Sequence, residues 1–220
     1  MKNRLTLSLL LAALLTPALS GCFPAIVAGT AAGVISLHDR RSTGTQTDDE
    51  STEWKASARI PKEYKNQSRV SFVSYNRRVL ITGEVASEEA RQSVEQNTRQ
   101  IEGVREVYNE LSIGTPATLS MRSNDTFLES KVKARLVDSR QISANHIKVV
   151  SERGQVYLMG VVTDLEAKVA ITVARTTAGV NKVVNVMEIL SDAEINRLNE
   201  QALLASKKSA APAPAPSENR

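Results

Sequence analysis

The strongest constraint on the fold is an internal repeat in the middle of the chain. Residues 79–85 (VLITGEV) match residues 156–162 (VYLMGVV) at an offset of 77, with a glycine at the same place in both. The match continues through 89–91 and 166–168, then slips by one residue. Because two copies are too few for a solenoid, the repeat predicts two tandem domains, over residues 50–114 and 120–191.

Each copy begins with the pattern of a helix followed by two strands. In the second copy, Leu128, Val132 and Leu136 recur at helical spacing and predict one apolar helix face. A cap on this helix is expected from the side-chain oxygen of one of three residues, Ser123, Asn124 or Asp125. Alternating apolar residues then predict two strands joined by a short turn, at 75–78 in one copy and at 151–154 in the other.

The rest of each copy predicts a longer helix and a last strand. Thr163 and Glu166 have the Thr-x-x-Glu spacing of a capping box. Gly103 and Gly179 are expected to close the two helices, because glycine adopts left-handed φ readily. The predicted fold class is therefore α+β, with two tandem α-β-β-α-β domains, each a small sheet with two helices on one face.

The N-terminus has the order of a secretory signal peptide over residues 1–21. Lys2 and Arg4 precede an uncharged apolar run, 5–15, which is followed by mostly small residues. This run is shorter than the roughly 20 residues that a helix needs to span a bilayer. Cys22, the single cysteine, comes next, so an internal disulfide and a zinc site with several cysteines are both excluded.

Residues 19–22 (LSGC) resemble the lipobox of bacterial lipoproteins. The resemblance implies that the Cys22 thiol takes a diacylglycerol, that the chain is cut before Cys22, and that the new amine is acylated. Several acyl chains hold a protein to a membrane durably. Phe23 stands where, in enterobacterial lipoproteins, an aspartate resembles an inner-membrane retention signal, so the resemblance implies the outer membrane.

The segments outside the repeat are predicted to be linkers and tails. Residues 22–49 are interpreted as a lipidated N-terminus and polar linker, and the acidic run at 48–53 as solvated rather than as a cation site. A helix is predicted over 192–208, and the Ala-Pro repeat after it predicts a disordered tail to residue 220. Removing residues 1–21 loses two basic and no acidic residues, which lowers the net charge from +4 to +2 and argues against nucleic acid as a partner.

The repeated pattern resembles the BON domain, a small bacterial envelope module. The recurrent features are the glycine after the second strand, here Gly83 and Gly160, and the Gly-Val pair that ends the helix, at 103–104 and 179–180. Two such domains behind a lipobox resemble the outer-membrane lipoproteins with two BON domains. The resemblance implies a lipid-anchored protein on the periplasmic face of that membrane. Such a protein binds anionic phospholipid of the phosphatidylglycerol type through its second domain and maintains membrane integrity.

The first helix of the second domain carries the candidate lipid-binding residues. Phe127, Lys131 and Ala134 cluster beside its apolar face, with Arg135 on the border and Lys133 further round. An aromatic side chain can enter the headgroup region while Lys and Arg meet lipid phosphates. The alternative is a packed phenylalanine with solvated lysines. The resemblance implies this helix as the lipid contact, with Phe127 where the family typically has tryptophan.

Trp54 and the two histidines are also assigned from the sequence. Trp54, on the matching helix of the first domain, is another candidate lipid-binding residue, and its alternative is a place in the core. His146 is expected on a strand with its side chain solvated, and His38 falls in the linker. No HExxH, GxSxG or phosphate-binding glycine loop is present. We therefore predict no enzyme activity, no cofactor and no metal site.

A second class of function stays open at this point. The chain is alternatively a protein-interaction adaptor for outer-membrane assembly or for cell-wall remodelling at the division site, with envelope-assembly proteins as partners. An exposed apolar patch on a sheet or domain face would favour that function.

Overall fold

A computed structural model describes residues 39–209 of the chain. The predicted signal peptide, Cys22, His38 and the Ala-Pro tail beyond residue 209 lie outside the described residues. Between residues 39 and 209, no helix is long and apolar enough to cross a membrane.

The first repeat forms a three-stranded sheet. Its elements are α1 (Thr43–Ala58), α2 (Lys62–Lys65), β1 (Arg69–Tyr75), β2 (Arg78–Val85), α3 (Glu88–Arg99) and β3 (Glu106–Ile113). The sheet order is β1-β2-β3, with β1 antiparallel and β3 parallel to β2. The two-residue turn between β1 and β2 has positive φ at Asn76 and Arg77.

The second repeat forms the same topology. Its elements are α4 (Leu119–Ser139), a 3-10 turn (Ala144–His146), β4 (Ile147–Glu152), β5 (Gln155–Val162), α5 (Asp164–Arg175), β6 (Lys182–Asn185) and β7 (Glu188–Ile189). Strand β4 is antiparallel to β5, and β6 and β7 pair in parallel with successive parts of β5. The predicted α+β class with two α-β-β-α-β domains is confirmed. Helix α6 (Asp192–Ser209) follows where the sequence predicts a helix.

Two helices cover one face of each sheet. In the first domain, α1 and α3 bury small and apolar residues such as Ala56 and Val94 against the sheet residues Phe72 and Ile81. In the second domain, α4 and α5 pack on β4 and β5 through a separate cluster that includes Leu128, Val132, Leu136, Leu158 and Ala170. Each domain therefore has its own core on the helix side of its sheet.

The opposite faces of the two sheets pack against each other. Tyr75 and Leu80 of the first sheet share one buried cluster with Tyr157 and Met159 of the second, and Ile195 of α6 joins them. Because each sheet has its helices on the other side, the layers run helices, sheet, sheet, helices. The outward faces of α1 and α4 consequently point in opposite directions.

A buried carboxylate joins the two domains at this interface. Glu84 of β2 is fully buried and accepts hydrogen bonds from Arg153 Nε at 2.7 Å, from the Ala117 amide at 3.1 Å and from Arg69 Nε at 3.1 Å. Arg69 also donates to Glu152 of the second domain. Burial alone would raise the pKa of Glu84, but these hydrogen bonds hold that pKa below its ordinary value.

Removing the charge of Glu84 is expected to destabilise the protein in a pH-dependent way. Glu84→Gln removes the carboxylate from Arg153 and leaves Arg69 only Glu152, which should cost about 2 kcal/mol at neutral pH, since both arginines retain some solvent. The native pKa is depressed, so the ionic stabilisation is present above about pH 4.5 and is lost as the pH falls through the native pKa. Urea unfolding should show a difference between the two proteins that shrinks in acid. An unchanged difference from neutral pH into acid would contradict this.

The helix that carries the candidate site begins earlier than predicted. Its N-cap is Thr118, whose side chain accepts from the Met121 amide, so the expected caps 123–125 lie inside α4. Asp125 instead accepts hydrogen bonds from the Arg153 and Gly154 amides at 2.9 and 2.8 Å. The predicted cap is therefore wrong, because Asp125 binds the β4–β5 turn rather than the start of its own helix.

The end of the predicted linker is helical and contains a buried aspartate that also binds a turn. Helix α1 begins at Thr43, and Asp49 is 2% exposed. Asp49 accepts from the amides of Asn76 and Arg77, both at 2.8 Å, as Asp125 does in the second copy. The interpretation of this acidic residue as solvated is therefore wrong, because one member of the run holds the β1–β2 turn.

Other sequence details are borne out. The capping box of Thr163 and Glu166 at the start of α5 is present in both directions. Gly103 and Gly179 have φ of +88° and +101°, a few residues beyond the helix ends. His146 differs from the prediction, since it lies in the 3-10 turn and its side chain is mostly buried, 3.5 Å from Glu166.

Candidate lipid-binding site

The outward face of α4 is an exposed surface without charged residues along its centre. The helix buries Leu128, Val132 and Leu136 against the sheet. Its opposite side exposes Phe127 and Val137, which are 65% and 59% accessible. The exposed residues between and around them are small or hydroxylated: Ser123, Thr126, Ser130 and Ala134. We call these six residues the α4 outer face; Lys131 and the exposed Asp138 border it.

Phe127 and Lys131 form a pair at one edge of the α4 outer face. The Lys131 ammonium lies 4.9 Å from the centroid of the Phe127 ring and donates to the Ala178 carbonyl at 2.9 Å. This geometry places a positive charge directly beside an exposed apolar ring. Because Lys131 binds a carbonyl in a loop rather than a carboxylate, its charge is not neutralised by the contact.

Lys133 and Arg135, in contrast, are engaged in contacts within the second domain. Lys133 donates to the carbonyls of Ala144 and Ile147, and burial lowers the pKa of Lys133, helped by the nearby Lys148. Arg135 donates to the Val173 carbonyl at 3.1 Å and to Thr177 Oγ1 at 2.8 Å. A helical wheel gives the angle of a Cα, whereas long basic side chains reach back to carbonyls beside the helix. These two cations therefore tie α4 to its neighbours.

Trp54 does not lie in the core. Its side chain is 80% exposed on the outward face of α1, on the side of the body opposite to Phe127. Helix α1 carries four acidic residues and one basic residue, whereas α4 carries three acidic and four basic residues. The two aromatic side chains thus differ in direction and in the charge around them.

The stretch that leads into α1 contacts both domains, although the sequence predicts only a polar linker there. Arg40 is buried and binds both carboxylate oxygens of Glu166, at 2.7 and 2.9 Å, and the Val161 carbonyl. Arg41 binds Asp49 at 2.8 Å and lies over the Tyr75 ring. Burial would raise the pKa of Glu166, but His146 and Arg40 hold it well below its ordinary value. No local pattern predicts these contacts, because their partners are more than 100 residues away for Arg40.

Within residues 39–209, no group of three or more His, Cys, Asp or Glu side chains could hold a metal ion. The α4 outer face itself presents an exposed apolar ring, hydroxyl groups and an adjacent ammonium.

Residues 48–115 and 124–191 each match the BON domain family. The chain is a BON-domain protein. It is 37% identical to "Outer membrane lipoprotein DolP" of Haemophilus influenzae over 174 residues, which cover 78% of this chain and 90% of that protein. It is 34% identical to the "21 kDa hemolysin" of Actinobacillus pleuropneumoniae, over 68% of this chain and 78% of that protein. It therefore belongs to the outer-membrane lipoproteins with two BON domains.

Membership of this family places the protein at the outer membrane with a lipid anchor. The BON-domain and DolP families are not enzyme families. Among solved structures, CdsD, a type III secretion system protein of Chlamydia trachomatis, is similar over 70% of this chain and 97% of its own, with 14% identity. The TM-score of 0.28 for that match is too low to support an argument about this chain.

Proposed function

We propose that this BON-domain lipoprotein binds anionic phospholipid through the α4 outer face and thereby maintains outer-membrane integrity. The signal peptide, 1–21, is removed and Cys22 is acylated, so that the folded domains lie on the periplasmic side. The protein performs no chemistry. The observation that carries the proposal is the exposed Phe127 ring with the Lys131 ammonium beside it on an otherwise uncharged helix face.

The expected lipid contact is weak by itself. A phenylalanine side chain that is fully buried gains about 1.5–3 kcal/mol, and a basic residue close to an anionic surface contributes about 1 kcal/mol. Of the three predicted basic residues, Lys131 borders the α4 outer face beside Phe127, whereas Lys133 and Arg135 are held by contacts within the second domain. We therefore assign the phosphate contact to Lys131. The acyl chains supply durable attachment, and the α4 outer face decides where in the membrane the protein accumulates.

The test is vesicle binding by the chain from residue 22 onward with Cys22→Ser, which lacks the acyl chains. We expect it to sediment with vesicles containing phosphatidylglycerol and to stay in solution with purely neutral vesicles. Phe127→Ala combined with Lys131→Glu should weaken binding at least about tenfold, because both the apolar and the ionic contribution are removed.

The matched control alters the same residue types elsewhere in the second domain. Leu165 is 71% exposed on α5, and Lys168 is exposed beside it. Leu165→Ala combined with Lys168→Glu should bind as the parent protein does. No binding of the parent to either vesicle would overturn the proposal and favour the adaptor function. Equal losses in both double variants would show that binding follows net charge and not the α4 outer face.

The adaptor function is the second candidate, and one observation favours it. The two sheet faces are packed against each other, so of the two expected places for an apolar docking patch only a domain face remains. Trp54, however, is an exposed aromatic residue on the outward face of the first domain.

A further inference from the structure

Trp54 and Phe127 cannot both meet one flat membrane. Trp54 lies on α1, outside the first sheet, and Phe127 lies on α4, outside the second sheet. The sheets pack together between these helices through Tyr75, Leu80, Tyr157 and their neighbours. Given the proposed function, on which this inference rests, the membrane lies against α4, and Trp54 points away from it.

The surroundings of Trp54 are also unsuited to an anionic surface. Glu50 is exposed one turn before Trp54 on α1, whereas the exposed Asp48 further round the helix is 3.7 Å from Arg77 and paired with it. An anionic membrane would repel the Glu50 carboxylate, whereas a basic protein surface would be attracted to it. An exposed indole beside a carboxylate is suited to an arginine or lysine, which can stack on the ring and pair with the acid.

A cleft lies beside the α1 residues next to Trp54, although Trp54 itself does not line it. Ser51 and Lys55, which flank Trp54 along α1, line it together with Asp48, Arg77 and Glu102. Its volume is about 250 Å³, and its walls are polar and charged. A polar side chain of a partner can therefore enter the cleft while a neighbouring cation covers the indole. The outward face of α1 thus offers a pocket and a stacking platform together.

We propose that the membrane-bound protein presents Trp54, Glu50 and the adjoining cleft as a docking surface for a second protein. The occupant is a segment that carries arginine or lysine between apolar residues. Its cation stacks on Trp54 and pairs with Glu50, and an apolar neighbour covers the rest of the exposed ring. The lipid contact and the protein contact thus lie on opposite sides of one body, and both can be occupied at once.

The direction of Trp54 is tested with the chain from residue 22 onward carrying Cys22→Ser, using its own fluorescence. Trp54 is the only tryptophan in the chain. Vesicles of phosphatidylglycerol whose acyl chains carry bromine quench an indole that enters the membrane. We expect no quenching of Trp54 at vesicle concentrations that bind the protein. The matched variant, Trp54→Phe with Phe127→Trp, should be quenched strongly.

The parent protein and the Trp54→Phe, Phe127→Trp variant together distinguish failure of the docking surface from failure of the lipid assignment. Quenching of Trp54 would overturn the docking surface while leaving lipid binding intact. Absence of quenching in the Trp54→Phe, Phe127→Trp variant, despite binding, would overturn the assignment of lipid to the α4 outer face. Absence of vesicle binding altogether would overturn the proposed function, and with it the orientation on which this inference rests.

The chemistry of the partner is tested with peptides of alternating leucine and arginine, and with the same peptides carrying glutamate in place of arginine. The arginine peptide should change the Trp54 fluorescence saturably with a midpoint below about 1 mM, and the glutamate peptide should not. Glu50→Lys should weaken the interaction at least about tenfold, whereas Glu63→Lys, the same charge change on exposed α2, should leave it unchanged.

Two results would contradict the proposed occupant. Equal responses to both peptides would show that the face binds apolar residues without regard to charge. A change in Trp54 fluorescence with protein concentration alone, accompanied by dimer formation in light scattering, would show that a second copy of the chain occupies the face.

Discussion

Gly83→Ala should destabilise the first domain by about 3 kcal/mol or more, because two unfavourable terms coincide at this position. Gly83 has φ of +115°, which side-chain-bearing residues rarely adopt, and a Cβ built on it would lie 1.9 Å from the Arg69 carbonyl oxygen. That oxygen belongs to the paired strand β1 and cannot move without breaking the register of the sheet. Urea unfolding followed by circular dichroism should show the loss directly.

Gly103 supplies the control for this prediction. It also has positive φ, at +88°, but a Cβ there would meet nothing within 4 Å. Gly103→Ala should therefore cost only the backbone strain, about 1–2 kcal/mol. Equal losses at the two positions would contradict the close approach of β1 to Gly83. Gly160, the equivalent in the second domain, would place a Cβ 2.3 Å from the His146 carbonyl oxygen but does not have positive φ, so Gly160→Ala should show the cost of the close approach without the backbone strain.

Asp125→Ala should lower the free energy of unfolding by about 3 kcal/mol, since it removes the acceptor from two backbone amides in the β4–β5 turn. Asp125 is 7% exposed, so water replaces those hydrogen bonds poorly. Ser151 Oγ also donates to this carboxylate, at 3.1 Å. Thermal unfolding of the variant should report the loss.

The control for Asp125 is Asp138, an exposed aspartate on the same helix. Asp138→Ala should change the stability by less than about 0.5 kcal/mol. Asp49→Ala, in the first domain, should cost at least as much, because it likewise removes the acceptor of two turn amides, those of Asn76 and Arg77, and also the partner of Arg41. A small effect of Asp125→Ala would contradict the prediction, because it would show that the β4–β5 turn keeps its shape without hydrogen bonds to this carboxylate.

Much of each domain was predictable from short-range patterns. The alternation of Val70 and Phe72 and the Thr163–Glu166 capping box each act within one element or between sequence neighbours. Such patterns survive folding because the backbone geometry that they require is local. The repeat then allowed a weak signal in one copy to be read from the other.

What the sequence did not reveal depends on distant partners. The aspartates at 49 and 125 look like surface acids or helix caps, and only the position of the turn opposite shows that they are buried acceptors. The stacking of the two sheets rests on Leu80 and Tyr157, whose apolar character is equally compatible with a surface open to a partner. Lys133 was predicted to face lipid, but its reach to two carbonyls depends on where the 3-10 turn lies.

The central claim, that the α4 outer face is the lipid contact, is tested most directly by an NMR titration. Backbone amide signals of the isotopically labelled chain from residue 22 onward with Cys22→Ser would be followed as phosphatidylglycerol-containing bicelles are added. We predict that the largest shifts and losses of signal fall on α4 around Phe127, Lys131 and Ala134, with little change on α1 around Trp54. Changes centred on α1, or none on α4 when the bicelles bind, would contradict the account.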